Sequence, residues 1–211
     1  KNKVGIIIEA RSTSSRLPNK HFYKINNKTI LEYLIKRVKK VTGVKNIIIA
    51  TTTNQQDDKI CNLAIKNKID FYRGSENNVT QRVLRSAEKF KIDIICEITG
   101  DCPIIDIELV SQLIATFKSN FGLIDYATNS NGLPNGMGCQ VFKTSILKKS
   151  YSQVKKNLEE QEHVTLNIRR NPKKYRLFDL RLSKNYQWPE LEVTLDELVD
   201  FKLLKKIILY F

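Results

Sequence analysis

The first half of the chain alternates short apolar runs with amphipathic helical patterns, and that alternation leaves few folds open. Runs at 4–9, 46–51, 69–72 and 93–98 have the length and composition of buried strands. Patterns at 29–41, 56–68, 78–90 and 106–118 have a helical period. Leu31, Leu34, Ile35 and Val38 recur at 3.6-residue spacing with Lys36, Lys39 and Lys40 turned outward, and Val79, Val83, Ala87 and Phe90 do likewise. Repetition of this kind predicts an α/β fold: a mostly parallel central sheet, right-handed crossovers, and helices flanking both faces.

The rhythm changes after about residue 120. Short strands are expected near 124–127 and 138–142, helices at about 143–150 and 159–170, a strand at 175–182 and a final helix at 196–210. Gly132, Pro134, Asn135, Gly136 and Gly138 punctuate one loop, and the polar 150–157 stretch is expected to be mobile. There is no internal repeat, low-complexity tract or linker. With 211 residues, 41% of them hydrophobic, the chain can bury one full core, so 1–211 is read as a single domain.

Charge and cysteine content narrow the partners. The balance of 36 Lys and Arg against 22 Asp and Glu gives a formal charge of +14. The lysines are spread along the whole chain without interleaved aromatics, which points away from a nucleic acid polymer and toward small anions. No apolar run approaches the roughly 20 residues needed to span a bilayer and no signal-peptide pattern opens the sequence, so the expected location is cytoplasmic, without a membrane partner. Cys61, Cys96, Cys102 and Cys139 form no CxxC pair and histidine occurs only at 21 and 163, which argues against a zinc site or a disulfide framework.

Two loops carry the chemistry. Residues 9–20 leave the C-terminal end of the first strand, the edge at which open α/β sheets bind ligands. There Arg11, Arg16 and Lys20 stand among Ser12, Thr13, Ser14 and Ser15, with Pro18 stiffening the exit. Backbone N–H groups and hydroxyls can wrap phosphates while guanidinium groups fork onto their oxygens, although a solvated basic loop has the same composition. Strand 93–98 runs into Thr99-Gly100-Asp101-Cys102-Pro103-Ile104-Ile105-Asp106, which presents the Asp101 carboxylate at the same sheet edge. A hard divalent cation carried by phosphates needs one or two protein carboxylates, which makes Asp101 a candidate ligand. Helix capping is the competing role for Asp101 and Asp106.

Together, Ala10-Arg11…Arg16-Leu17-Pro18-Asn19-Lys20 and the 99–106 segment resemble the bacterial cytidylyltransferases, in particular the spore-coat polysaccharide (SpsF-type) subgroup. Synthetases of CMP-sialic acid, CMP-legionaminate-type sugars and CMP-Kdo are relatives of that subgroup. Arg73-Gly74-Ser75-Glu76 with Asn78, Val79 and Arg82, then Gly136-Met137-Gly138-Cys139-Gln140, Glu162-His163-Val164-Thr165 and Val193-Thr194-Leu195-Asp196 follow in the expected order.

The resemblance implies a Rossmann-like nucleotide-diphosphosugar transferase fold. It places nucleotide binding in about 1–120 and acceptor binding, with possible dimerisation, in 121–211. It implies CTP as nucleotide, Mg²⁺ as cofactor, a sugar or sugar acid as acceptor, and a homodimer. In that scheme Arg11, Arg16, Lys20 and Asp101 are the catalytic group, and Asp101 and Asp196 hold the metal, although Asp196 could equally cap the last helix. Nucleotide contacts would extend to Ala10, Ser12 and Thr13, to Thr99 and Gly100, and to Arg73, Gly74, Ser75 and Arg82. Thr51, at the end of the second strand, is placed near the base or ribose, or in a plain polar loop. Asn135, Gly136, Gln140, Glu162 and His163 are the implied acceptor contacts.

The chain departs from that pattern at four positions. Thr13 and Asn19 stand where the family carries glycines, and amides stand at Asn135 and Gln140 where it carries acids. The first pair bears on the shape of the phosphate cradle, because glycine permits positive φ. The second bears on the acceptor. Other nucleotides, a phosphorylated or phosphonate acceptor met by Arg169, Arg170 and Lys173, and a non-catalytic role as a nucleotide-binding or partner protein are the competing functions.

Overall fold

A computed structural model describes residues 2–154 and 157–211. The chain runs β1 (Val4–Glu9), the small hairpin β2 (Lys24–Ile25) and β3 (Lys28–Thr29), α1 (Ile30–Val38), β4 (Asn46–Thr52), α2 (Asp58–Lys66) and β5 (Asp70–Gly74). It continues through α3 (Val79–Lys89), β6 (Ile94–Thr99), α4 (Ile107–Ser119), β7 (Tyr126–Thr128), β8 (Gln140–Lys143) and α5 (Thr144–Val154). The last elements are α6 (Leu158–Glu162), α7 (Leu166–Arg170), β9 (Leu177–Asp179) and α8 (Leu198–Tyr210). The 150–157 stretch is helical through Val154, and residues 155–156 lie outside the described residues.

Seven strands form one sheet in the order β5-β4-β1-β6-β8-β7-β9. β5, β4, β1 and β6 are mutually parallel, β8 runs antiparallel between β6 and β7, and β9 is parallel to β7. This is the expected mostly parallel central sheet flanked by helices. Period-two alternation sorts the core: Ile6 and Ile8 of β1 pack with Leu34, Ile35 and Phe117 on one face. Ile7 packs with Val83, Ala87 and Leu147 on the other. No helix among the described residues is long and apolar enough to cross a membrane.

The chain passes from β1 to β4 and β5 on one side, then returns to β6 on the other, so the topological switch falls between β1 and β6. Their C-terminal residues Glu9 and Thr99 are register partners, and a crevice opens above them. A third apolar cluster joins Leu17 of the basic loop to Ile25, Val193, Leu195 and Leu204. That cluster draws the C-terminal segment across the mouth of the crevice.

Three local expectations change. The single helix 159–170 is two short helices, broken where His163 takes φ −101° and ψ 98°. The strand at 175–182 is confined to Leu177–Asp179. The final helix starts at Leu198, with Glu197 as its cap, so Asp196 lies outside it.

Candidate active site

The basic loop is built on a buried carboxylate. Asp57 is fully buried and accepts the Ser12 N–H on Oδ1 at 2.8 Å and the Thr52 hydroxyl on Oδ2 at 2.5 Å. Burial pushes its pKa up, but these donors outweigh burial and hold it below the ordinary range. The Asn19 N–H returns to Ser12 O at 3.1 Å, closing the loop. Asn19 adopts φ 58° and ψ 23°, so asparagine supplies the left-handed turn for which glycine is the common choice. Thr13, by contrast, has no positive φ and donates its hydroxyl to Glu76.

The turn delivers Lys20, which is 9% exposed. Its ammonium donates to Asp101 Oδ2 at 2.5 Å and to Asp196 Oδ1 at 2.8 Å. Arg16 Nη2 lies 2.8 Å from the other Asp196 oxygen. Burial lowers the Lys20 pKa, but the two carboxylates more than offset it and the net shift is upward. Asp101 mirrors this: burial raises it, and the Lys20 charge and Thr99 hydroxyl hold it below its usual value.

Asp101 and Asp196 meet because their backbones are joined: the Leu195 N–H donates to Asp101 O at 2.9 Å. The carboxylate of Asp200, not that of Asp196, receives the Asp196 and Glu197 N–H groups, at 2.9 and 2.7 Å. The Asp196 carboxylate is therefore available to Lys20 and Arg16. Asp106, as expected, caps α4 by accepting from Glu108 and Leu109.

Gly100 seats this arrangement. Its N–H donates to Glu9 O at 2.8 Å, and a Cβ there would lie 2.8 Å from that same oxygen and 2.9 Å from His21 Cε1. His21 is buried against the Gly100 carbonyl, and burial lowers its pKa to about 4.

Arg11, Arg16, Lys20, Arg82, Asp101 and Asp196 thus line one cavity of about 380 Å³, with Ala10, Thr99, Glu162 and His163 on its borders. Arg11 lies 3.7 Å from Glu162. Arg82 is buried and donates to the carbonyls of Ser75 and Glu76 at 2.5 and 3.2 Å, so its charge is set into the wall. A second cavity of about 390 Å³ adjoins it, with Thr99 in both walls, and holds Asn135, Gly136 and Gln140. Gly136 has φ +96°, and a Cβ there would lie 2.9 Å from Thr194 Cγ2. The expected acceptor contacts are therefore divided, Glu162 and His163 lying on the phosphate-loop side.

Other expected nucleotide contacts lie outside both cavities. Thr51 is fully buried in β4. Arg73 pairs with Asp58 at 2.6 Å and donates to the carbonyls of Thr52 and Asn54, bracing the turn after β4. The Gly74 carbonyl accepts the Thr53 N–H, and the Ser75 hydroxyl accepts the Asn78 N–H. Ser12 serves the loop through its N–H, as above.

This pairing of an N-terminal cationic loop with two converging aspartates coincides with a family match. The cytidylyltransferase family model covers residues 5–207. The chain belongs to the cytidylyltransferase family. It is 31% identical to the spore coat polysaccharide biosynthesis protein SpsF of Bacillus subtilis, over 98% of this chain and 86% of that one. It is 34% identical to an uncharacterized protein of Methanocaldococcus jannaschii, over 95% and 81%. A solved cytidylyltransferase from Leptospira borgpetersenii superposes with a TM-score of 0.94 at 33% identity, covering 100% of this chain and 88% of that one.

Asp101 and Asp196 form a pair of hard oxygen donors facing one ammonium, a donor set that fits Mg²⁺. Among the described residues no three His, Cys, Asp or Glu side chains form a self-sufficient cage, and a cation arriving with phosphate oxygens requires none. Sequence reasoning missed Asp57, Glu9 and Glu97. Glu97 had a visible signal, a lone charge inside the apolar run of β6.

Proposed function

We propose that the protein transfers CMP from CTP to a hydroxyl of a bacterial surface sugar or sugar acid and releases pyrophosphate. The observation that carries this reading is the convergence of Lys20 on both Asp101 and Asp196, with Arg16 on the second oxygen of Asp196, in a cavity that Arg11 also lines. In the reaction the acceptor oxygen bonds to the α-phosphorus as the bond to the bridging oxygen breaks in line; the hydroxyl proton passes to solvent, and the electron pair of the broken bond leaves with pyrophosphate. Arg11, Arg16 and Lys20 hold the phosphates and oppose the charge developing on the leaving group. Held by Asp101 and Asp196, Mg²⁺ would supply further neutralisation of phosphate charge. The Thr99 hydroxyl, which donates to Asp101 at 2.5 Å, fixes the orientation of that carboxylate. Use of CTP places the reaction in the cytoplasm, and we read the working unit as a homodimer.

A phosphorylated acceptor fits less well. Arg170 is paired with Glu159 at 2.7 Å, and Arg169 donates to Thr165. Neither these two nor Lys173 lines the second cavity.

The test is pyrophosphate release with each NTP across an acceptor panel, with and without Mg²⁺. Turnover specific to CTP and dependent on Mg²⁺ is the expected result. Absence of CTP binding by calorimetry in the presence of Mg²⁺ would leave the non-catalytic reading standing.

A further inference from the structure

The second cavity contains an acid that the phosphate chemistry does not use. Glu97 is 7% exposed and lines the cavity, directly opposite Gln140 across the β6–β8 ladder. Its neighbour toward the phosphate loop is another acid, Glu9, which borders the first cavity. Oε2 of Glu97 and Oε1 of Glu9 are buried and receive no N–H or O–H donor among the described residues. The two carboxyl groups interact with each other, and that contact is a hydrogen bond only when one of them carries a proton. Burial and mutual repulsion hold the Glu97 pKa well above the ordinary range.

The rest of the wall is neutral. Among the described residues no Lys, Arg or His lines this cavity. Arg169 is the cation whose charge reaches Glu97, and it is bonded to Thr165 outside the wall. The Gln140 carbonyl oxygen accepts the Tyr126 hydroxyl at 2.9 Å and also the Thr165 hydroxyl, which leaves its amide as a donor. A ligand carboxylate would enter a site with no cation to meet it and an acid already buried there, and desolvating an unpaired charge is expensive. A ligand ammonium would supply the donor that Glu97 lacks and would take over from the shared proton.

We propose that this cavity is an acceptor subsite selective for an amino sugar, with Glu97 as the residue that receives the sugar's ammonium group and Gln140 as a neutral donor beside it. This rests on the cytidylyltransferase reading and narrows its acceptor from sugars and sugar acids to sugars bearing a free amine.

The probes are glucosamine, N-acetylglucosamine and glucuronate: one gluco ring carrying an ammonium at C2, a neutral amide at C2, or a carboxylate at C6. Each is titrated at about pH 7, where a free amine is largely protonated and a uronate ionised, into protein saturated with Mg²⁺ and the unreactive α,β-methylene analogue of CTP. Glucosamine should bind at least ~10-fold more tightly than N-acetylglucosamine, the gain of one charge-assisted contact, with glucuronate weakest. In Glu97→Gln the gap should close to within about twofold, while analogue binding stays as in the wild type.

Undetectable glucosamine binding, glucuronate binding as tight as glucosamine, or a preference for the amine that survives in Glu97→Gln would each overturn the proposal. If the variant fails to bind the analogue, the wild-type ranking of the three sugars decides alone. If the wild type itself does not bind the analogue, the parent reading fails first and this one with it.

Discussion

Lys20 Nζ stands 2.5 Å from Asp101 Oδ2, an ion pair joining residues 81 positions apart. The same nitrogen reaches Asp196, so one ammonium neutralises both acids of the proposed metal pair. Lys20→Met should therefore have opposite effects on two measurements. Without its competing charge, Mg²⁺ alone should bind more tightly by calorimetry. CTP turnover should fall by roughly 10²–10³, the usual scale for losing a group that stabilises transition-state charge. Turnover within about threefold of the wild type would remove Lys20 from the reaction.

Asp101 and Asp196 should behave alike although they come from distant parts of the chain. Asp101→Asn keeps the shape and the Thr99 contact but removes the charge that Lys20 and the metal require. Asp196→Asn releases Arg16 from its 2.8 Å pair. Each should lower turnover by roughly two orders of magnitude or more while circular dichroism stays unchanged. Added Mg²⁺ should recover part of the loss by mass action.

The strands that position these residues were legible because burial imposes a simple pattern. The β1 and β6 runs match the expected 4–9 and 93–98 to within a residue at either end, since β-rich apolar runs between polar turns admit little else. What the pattern could not decide was which of two roles a polar residue at an element's end would take. Asp196 could cap α8 or enter the site, and the choice is made by the backbone bond from Leu195 to Asp101, a contact between remote segments. Helical spacing likewise suggested one helix at 159–170. Val164 is instead buried at a break between two short helices, because packing against the sheet prevailed over propensity. Thr51 and Arg73 lie near the C-terminal ends of β4 and β5, where ligand contacts are expected, but Thr51 is fully buried and Arg73 is committed to the carbonyls of the turn after β4.

Gly100 is a steric requirement with a functional consequence. In Gly100→Ala the new methyl group meets the Glu9 carbonyl oxygen at 2.8 Å and Ala10 Cβ at 3.1 Å, both set by the backbone. Relief requires β1 and β6 to separate where Lys20 and Asp101 pair. Destabilisation of about 1–3 kcal/mol is expected, the range for overpacking a tight site. Urea melts measure it, and turnover should fall more than the folded fraction does.

The Glu9–Glu97 pair makes stability depend on pH in a defined direction. Both carboxyls have folded pKa values raised above the ordinary 4.5, chiefly by burial. A group of this kind contributes its stability fully below the unfolded pKa and loses it as pH rises through the folded one. The wild type should therefore lose this contribution as pH climbs above 4.5 and through the raised folded pKa values. Glu97→Gln removes the second acid and offers Glu9 Oε1 an amide donor, so the variant should melt roughly 2–4 °C higher than the wild type at about pH 8. The advantage should shrink or vanish near pH 4.5, where the wild-type pair is protonated. His21 acts in the opposite sense in both proteins: its folded pKa of about 4 costs stability as pH falls below 6.5, so it cancels from the difference between them. Thermal melts of the two proteins across that range give the difference directly. A gap that does not grow with pH would mean the two acids do not share a proton.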